Sequence, residues 1–248
     1  MIGPEYSKNE TNYYETAKKQ HRITVQSILT MGHLEKEIQT YLTRVYTLLS
    51  FTVIAAFIGS SLGQYFGPFT EMVYIPLICF AIVLIAAIVL TTSTQQNAFY
   101  RSSLLIFFGL IQGFLIAPLI IHVSKIDNTI PLKALLLTSL VFVCFSLSAI
   151  YADRRSYLYL YGILSCCISG LFLLSMLNIF VHSNFIENMS LFGGLIVFSL
   201  FVAVDTQMII ERASYGELDS VHAALSLFLD ACNIFIRIIR ILGKKNKK

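Results

Sequence analysis

Six windows of about 20 apolar residues follow one another along this chain of 248 residues. A helix rises about 1.5 Å per residue, so each window is long enough to cross the ~30 Å hydrocarbon core of a bilayer. Apolar residues make up 56% of the chain and charged residues 13%, which a soluble globule could accommodate only with a large apolar exterior. The sequence therefore predicts an all-α fold, a polytopic membrane helical bundle. The windows are 42–62, 72–92, 104–123, 134–152, 157–181 and 190–210.

A seventh segment, residues 221–242, is less apolar and carries a polar stripe. Its polar residues recur at steps of three and four, so on a helix they lie along one face. Such a face cannot contact lipid. We therefore expect a central seventh helix surrounded by the other six, with its stripe along a cavity. The stripe consists of His222, Ser226, Asp230, Asn233, Arg237 and Arg240.

Two aspartates, Asp205 and Asp230, lie within consecutive apolar segments near the C-terminus. A charged side chain at the centre of a membrane costs about 2.5 to 3.5 kcal/mol on insertion scales, and it usually faces a partner or a water-filled path. The connection between the two segments, residues 211–220, is short. The two carboxylates can therefore face each other across one antiparallel hairpin, which indicates an ion or proton pathway.

Ionising both members of a close pair of carboxyl groups costs free energy, because the two negative charges repel each other. The pair is therefore expected to share a proton and to act as a pH sensor. When deprotonated, the oxygens of Asp205 and Asp230 suit a hard cation, and calcium is the natural candidate for transient binding there. A structural alternative stays open at this point. Each aspartate could instead cap local backbone or pair with a buried arginine for packing specificity.

The distribution of charged and apolar residues predicts three segments: a polar arm at 1–40, a membrane domain at 41–243 and a basic tail at 244–248. The arm is expected to be disordered and cytosolic. The positive-inside rule places the N-terminus, Arg101, Arg154, Arg155 and Arg212 on the cytosolic side, with loops 124–133 and 182–189 opposite. Seven full crossings would send the tail to the far side, whereas a re-entrant or buried seventh element would keep it cytosolic. We expect a cytosolic tail. Its lysines are Lys244, Lys245, Lys247 and Lys248.

Several classes of function are disfavoured. Basic residues do not cluster in a polar soluble domain, so nucleic acid is not an expected partner. The five cysteines lie in apolar runs and suggest neither disulfides nor metal ligands, so no cofactor is expected. An intramembrane aspartyl protease would place its aspartate after Gly-x-Gly, whereas Asp205 follows Ala-Val and Asp230 follows Phe-Leu. We expect a protein that is not an enzyme.

Three segments, 145–164, 204–213 and 224–230, together with the lysine-rich tail, resemble the Bax inhibitor-1 family and in particular its endoplasmic-reticulum branch. The resemblance extends from about His33 to the C-terminus. It implies six helices around a seventh, and a pH-sensitive calcium leak out of the endoplasmic reticulum whose di-aspartyl sensor falls on Asp205 and Asp230. It also implies suppression of stress-induced cell death, interaction with Bcl-2-type regulators and weaker unfolded-protein stress signalling.

Bacterial relatives carry an arginine in the second membrane helix that can latch one aspartate, but residues 72–92 contain no charge. Gating is therefore expected to depend on the shared proton. The expected partners are the lipid bilayer, calcium ions, protons and Bcl-2-type regulators, and a homo-oligomer is compatible with the sequence. The alternative function is a non-conducting membrane scaffold that inhibits cell death by binding those regulators and stress sensors.

Overall fold

The computed structural model describes residues 36–67, 74–92, 97–153 and 156–246. The described residues form seven helices joined by short connections, without a strand among them. In chain order the helices are α1 (Lys36–Tyr65), α2 (Tyr74–Thr92), α3 (Ala98–Ser124), α4 (Ile130–Tyr151), α5 (Leu160–Val181), α6 (Asn184–Ser214) and α7 (Ser220–Asn246).

Helices α1 to α6 are each long and apolar enough to cross a membrane. The prediction of a polytopic helical membrane bundle is therefore confirmed. Most of α2 and α5 is exposed and apolar, and Leu164 is the buried residue of α5, so these helices offer their surface to lipid. Several helices extend beyond the predicted windows, because the helical backbone continues through polar residues at the membrane surface. Thus α1 begins at Lys36, α3 at Ala98 and α6 at Asn184.

The chain divides into two units, residues 1–40 and 41–248. The structure describes only 36–40 of the first unit. These residues form the first turn of α1, where the Thr40 hydroxyl donates to the carbonyl of Lys36 at 3.0 Å. The predicted disordered arm otherwise lies outside the described residues.

Helix α7 lies inside the bundle, where it packs against α2, α3, α4 and α6. One face is apolar and fully buried, as at Leu227 and Ile234. Phe228 meets Phe108 of α3 edge to face, with ring centroids 6.0 Å apart. Because neighbouring helices cover the apolar face, the polar stripe faces the cavity between α7 and α6 along the first half of the helix. The prediction of a central seventh helix is confirmed.

Helices α1 and α3 approach each other through small residues. Gly109 and Gly113 stand four apart on α3, and their Cα atoms lie against the backbones of Thr52 and Ala56 on α1. A Cβ atom added at Gly109 would come within 2.6 Å of the Thr52 carbonyl oxygen. This spacing of small residues is the usual way for membrane helices to pack closely, and it is a feature of the α1–α3 contact that was not among the predictions.

The contacts of α7 define two ends of the bundle. At its first end, which we call the arginine end, Asp219 precedes the helix and pairs with Arg101. At its last end, which we call the tail end, the Lys244 ammonium lies 2.8 Å from Glu187, and the Asn246 amide donates to Asp127 at 3.2 Å. The 27 residues of α7 span about 40 Å at 1.5 Å per residue, so the helix runs the full height of the bundle.

This geometry corrects the predicted position of the basic tail. Lys244 lies at the same end as Asp127 and Glu187, opposite to Arg101 and Arg212, whereas the sequence analysis placed it on their side. The physical reason is that α7 does not reverse direction within the bundle. Neighbouring helices cover its apolar face along its length, so a helix with a polar stripe can still run from one end of the bundle to the other. Lys247 and Lys248 lie outside the described residues, and which end faces the cytosol stays a prediction.

Candidate functional site

Asp205 on α6 and Asp230 on α7 lie on adjacent antiparallel helices and line the same cavity. Asp205 is half-buried, and one of its carboxylate oxygens accepts a short hydrogen bond from the Ser226 hydroxyl on α7. Ser226 stands one turn before Asp230, so this bond fixes the register of the two helices at the level of the carboxylates. The hairpin arrangement expected from the short connection is therefore present.

Asp230 is more deeply placed, with 7% of its surface exposed. Its Oδ2 atom is buried without a hydrogen-bond partner. A buried polar atom without a partner is uncommon in folded proteins and calls for an explanation, such as a bound ion, a proton or a water molecule. The described residues do not join the two carboxyl groups by a direct hydrogen bond, so a proton shared between them stays a prediction.

The cavity around the two aspartates has a volume of about 950 Å³. Its outer part lies at the arginine end, where the exposed side chains Arg44, Arg212 and Glu217 contribute to its wall. Its inner part reaches Asp230 and Asn233 on α7 and Phe198 on α6. Water or an ion entering at the arginine end would therefore meet Asp205 and Asp230 in the bundle interior.

The polar stripe of α7 divides into two parts. His222, Ser226, Asp230 and Asn233 line the cavity as the periodicity predicts. Arg237 does not line it. Its guanidinium lies over the ring of Phe198, with Cζ 4.3 Å from the ring centroid, two turns from Asp230. The spacing of residues in the sequence does not distinguish Arg237 from the residues that line the cavity, because the direction of a long side chain depends on the space that the neighbouring helix leaves.

The described residues contain no group of three or more histidine, cysteine, aspartate or glutamate side chains that could hold a metal ion. Asp205 and Asp230 supply carboxylate oxygens to the cavity, and these are suitable ligands for a hard cation in transit. Calcium at this pair would be cargo, and its binding there stays a prediction.

The family model described as "Inhibitor of apoptosis-promoting Bax1" matches residues 38–247. The chain belongs to this family. It is 32% identical over 231 residues to Bax inhibitor 1 of Rattus norvegicus, with 92% of this chain and 96% of that protein covered. It is 31% identical over 228 residues to Bax inhibitor 1 of Homo sapiens, covering 91% and 94% of the two chains. The protein named Bax inhibitor 1 in Arabidopsis thaliana is 32% identical over 239 residues, covering 95% and 94%.

Membership confirms the resemblance inferred from residues 204–213, and the structure shows what the Asp-Thr-Gln motif within them does. Asp205 faces the cavity, while Thr206 and Gln207 turn away from it and are buried. Thr206 lies 3.3 Å from the Ser146 hydroxyl of α4, which in turn bonds Tyr46 of α1. Three consecutive residues of α6 thus face three different surroundings: Asp205 faces the cavity, Thr206 contacts α4, and Gln207 contacts the junction between α4 and α5.

Gln207 connects α6 to the junction between α4 and α5. Its side-chain carbonyl accepts from the backbone N–H of Tyr157 at 2.7 Å, and its amide donates to the carbonyl of Asp153 at 3.1 Å. The position of Asp205 along the cavity is therefore fixed from both flanks, by Gln207 on one helix face and by Ser226 on the other.

Sequence reasoning missed an ion pair at the cavity mouth. Arg101 was assigned to a loop, but it lies in α3, is 7% exposed, and donates to Asp219 at 2.8 Å and to the carbonyl of Leu90 at 3.1 Å. Asp219 also accepts from the backbone N–H groups of Val221 and His222 at 3.2 and 3.1 Å. An aspartate just before an amphipathic segment is an N-cap signal that the sequence did offer.

Asp219 lies in the connection between α6 and α7, outside the apolar spans. Partial burial by itself would raise its pKa, but the hydrogen bonds from Arg101 and from the His222 backbone, with the charge of Arg101, outweigh burial and hold the pKa below its usual value. Asp219 is therefore ionised at neutral pH, and it joins the first turn of α7 to α2 and α3.

Proposed function

We propose that this chain is a pH-sensitive calcium leak channel of the endoplasmic-reticulum membrane that lowers stored calcium and thereby suppresses stress-induced apoptosis. The observation that carries the proposal is the cavity that brings Asp205 and Asp230 together in the bundle interior, with Asp230 Oδ2 buried and unpaired. The names of the family and its curated members refer to inhibition of Bax, which supports the link to cell death.

The proposed mechanism follows from competition for the same oxygens. When both carboxylates are ionised, their combined charge attracts a divalent cation into a cavity with a low effective dielectric constant. A proton on Asp230 removes one charge and one ligand, so cation occupancy falls. Ser226 already satisfies one oxygen of Asp205, which leaves Asp230 as the residue with most to gain from a proton or a cation. Gating by this pair requires no cofactor and no enzymatic step.

Orientation is part of the proposal. The arginine end carries Arg44, Arg101 and Arg212. By the positive-inside rule we infer that this end faces the cytosol. The tail end then faces the lumen, and calcium would leave the store from the tail end toward the arginine end. Interaction with Bcl-2-type regulators would then involve the cytosolic arm and loops of the arginine end.

The test is calcium flux through the purified chain in liposomes between about pH 5 and pH 8, a range that brackets proton binding to a perturbed carboxyl pair. The unmodified chain is compared with Asp230→Asn and Asp205→Asn, and Asp127→Asn serves as the matched control because it removes a carboxylate at the tail end, far from the cavity. We expect the aspartate variants of the cavity to shift or abolish the pH dependence and the control to retain it.

The two cavity variants should also be non-additive, because coupled groups act as one unit. A flux no higher than that of empty liposomes at every pH would refute conduction. It would favour the non-conducting scaffold, and binding of Bcl-2-type regulators to this chain would then become the activity to measure.

A further inference from the structure

The inner end of the cavity lies next to an unusual arginine. The cavity wall reaches Phe198 on α6 and Asn233 on α7, and Arg237 lies one turn beyond Asn233 toward the tail end. The Arg237 guanidinium covers the Phe198 ring at 4.3 Å, and its Nη1 donates to the carbonyl and the side-chain oxygen of Asn233 at 3.2 and 3.3 Å.

Within the described part of the chain, Arg237 has no carboxylate partner, and its Nε is buried without a hydrogen bond. Charged side chains inside a membrane bundle normally pair with an opposite charge. Arg237 instead depends on the face of an aromatic ring and on one amide, both of which accept a cation without neutralising it. A full positive charge is therefore held at the inner end of a cavity that contains two carboxylates.

Gly194 makes this position possible. A Cβ atom at residue 194 would overlap with Nε of Arg237, so only glycine leaves room for the guanidinium between α6 and α7. The preceding residue, Gly193, is different, since its Cβ would lie at an ordinary 3.6 Å from Leu171. Alanine at residue 194 would therefore displace the guanidinium, whereas alanine at residue 193 would be accommodated without a shift.

Beyond Arg237 the apolar face of α7 is packed. Ile238 and Ile239 are buried, and Gly243 lies so close to Val123 of α3 that an added Cβ would come within 3.2 Å. The α7 residues that line the cavity all lie on the arginine-end side of Arg237, so Arg237 is the first polar residue of α7 beyond the inner end of the cavity.

We propose that Arg237, held over Phe198 by the space at Gly194, is the inner barrier of the pathway. Its charge repels a divalent cation and closes the route between Asp230 and the tail end, and conduction requires the guanidinium to leave the ring. This inference rests on the proposed calcium leak for its physiological meaning, but access to the cavity from the tail end can be measured separately from calcium flux.

The first experiment compares calcium flux in liposomes at the pH at which the unmodified chain is least conductive. Arg237→Gln removes the charge at similar length, and Arg240→Gln is its control, because Arg240 is exposed on the same helix. Gly194→Ala displaces the guanidinium, and Gly193→Ala is its control. Arg237→Gln and Gly194→Ala should raise the flux by about tenfold or more, since a unit charge near a divalent ion is removed or displaced. The two controls should match the unmodified chain.

The second experiment does not depend on calcium conduction. Leu229→Cys, at a position that lines the cavity without contributing a side-chain hydrogen bond to Arg237, is exposed to a membrane-impermeant thiol reagent in sealed vesicles, in a chain whose five native cysteines are replaced by serine. The vesicles are captured through a C-terminal tag, so that the tail end faces outward. Labelling should be slow with Arg237 present and about tenfold or more faster with Arg237→Gln, because the barrier then no longer separates residue 229 from the tail end.

The two readouts separate the possible failures. If no variant conducts calcium but labelling accelerates as expected, the proposed leak is wrong and the barrier stands. If Asp230→Asn alters a measurable flux while Arg237→Gln changes neither flux nor labelling, the leak stands and the barrier is wrong. Equal acceleration by Arg240→Gln would also overturn the barrier, because a general loosening of α7 would then explain the result. Should Gly194→Ala fail to fold, Arg237→Gln still decides the question.

Discussion

Replacing Asp219 by asparagine should lower the free energy of unfolding by about 2 to 3 kcal/mol. The Asp219 carboxylate accepts a hydrogen bond from Arg101 at 2.8 Å and caps the first turn of α7. Asparagine preserves the cap, since it is as good an N-cap residue as aspartate. It removes the charge that compensates Arg101, whose side chain is only 8% exposed and whose Nε already lacks a partner.

The magnitude follows from the burial of the two partners. Removing one member of a fully buried ion pair costs about 3 to 5 kcal/mol, because the other charge is left uncompensated. The Asp219 side chain is 32% exposed, so water screens the pair and the expected loss is smaller. Asp219→Ala should lose about 1 kcal/mol more than Asp219→Asn, because the cap disappears as well.

The effect of Asp219 should depend on pH in a defined direction. The pKa of Asp219 is lower in the folded protein than its usual value, against the effect of burial, because of its hydrogen bonds and the charge of Arg101. A carboxyl group with a lowered pKa stabilises the fold fully above its unfolded pKa of about 3.9. That stability is lost as the pH falls through the folded pKa. The difference between the unmodified chain and Asp219→Asn should therefore be constant near neutrality and shrink below about pH 4.

The assay is reversible unfolding in mixed micelles, with the double variant Arg101→Gln/Asp219→Asn completing a cycle. The double variant should be less destabilised than the sum of the single variants, because the two side chains interact directly. Lys133→Gln is the control, since its ammonium is 3.5 Å from Asp127 and its side chain is 55% exposed, and exposed pairs contribute about 1 kcal/mol or less. A loss below about 0.5 kcal/mol for Asp219→Asn, or additivity in the cycle, would refute the argument.

Three further predictions concern topology and packing. Tags added before residue 1 and after residue 248 should be accessible from opposite sides of sealed membranes, because α7 runs the full height of the bundle, and access from one side alone would contradict seven crossings. Gly113→Leu should lower the free energy of unfolding by about 1 to 3 kcal/mol through overpacking against α1, whereas Gly162→Leu, where an added Cβ meets nothing within 4 Å, should be nearly neutral. Gln207→Leu should cost about 1 to 2 kcal/mol by leaving the Tyr157 N–H unpaired, and Gln207→Glu, which keeps the acceptor, should recover part of this loss in the same unfolding assay.

The class of fold and the existence of a central polar helix follow from the order of the amino acids alone. Windows of apolar residues must become helices in a membrane, because no water is present to satisfy an open backbone. The stripe through His222, Ser226 and Asn233 likewise had to face away from lipid. Asp205 and Asp230 could be singled out because a charge deep in an apolar segment is costly wherever the helix lies.

How these helices and side chains face one another became known from the packed bundle. Arg101 and Asp219 are 118 positions apart in sequence, and no local pattern predicts such a pair. The seventh helix could have turned back within the bundle or run through it, and its contacts with Glu187 and Asp127 show that it runs from one end of the bundle to the other. Arg237 has the periodicity of the stripe, but its guanidinium lies over the Phe198 ring, in the space left by the missing side chain at Gly194. Periodicity fixes the face of a helix, whereas the partner of a long charged side chain depends on the space and charge that other helices provide.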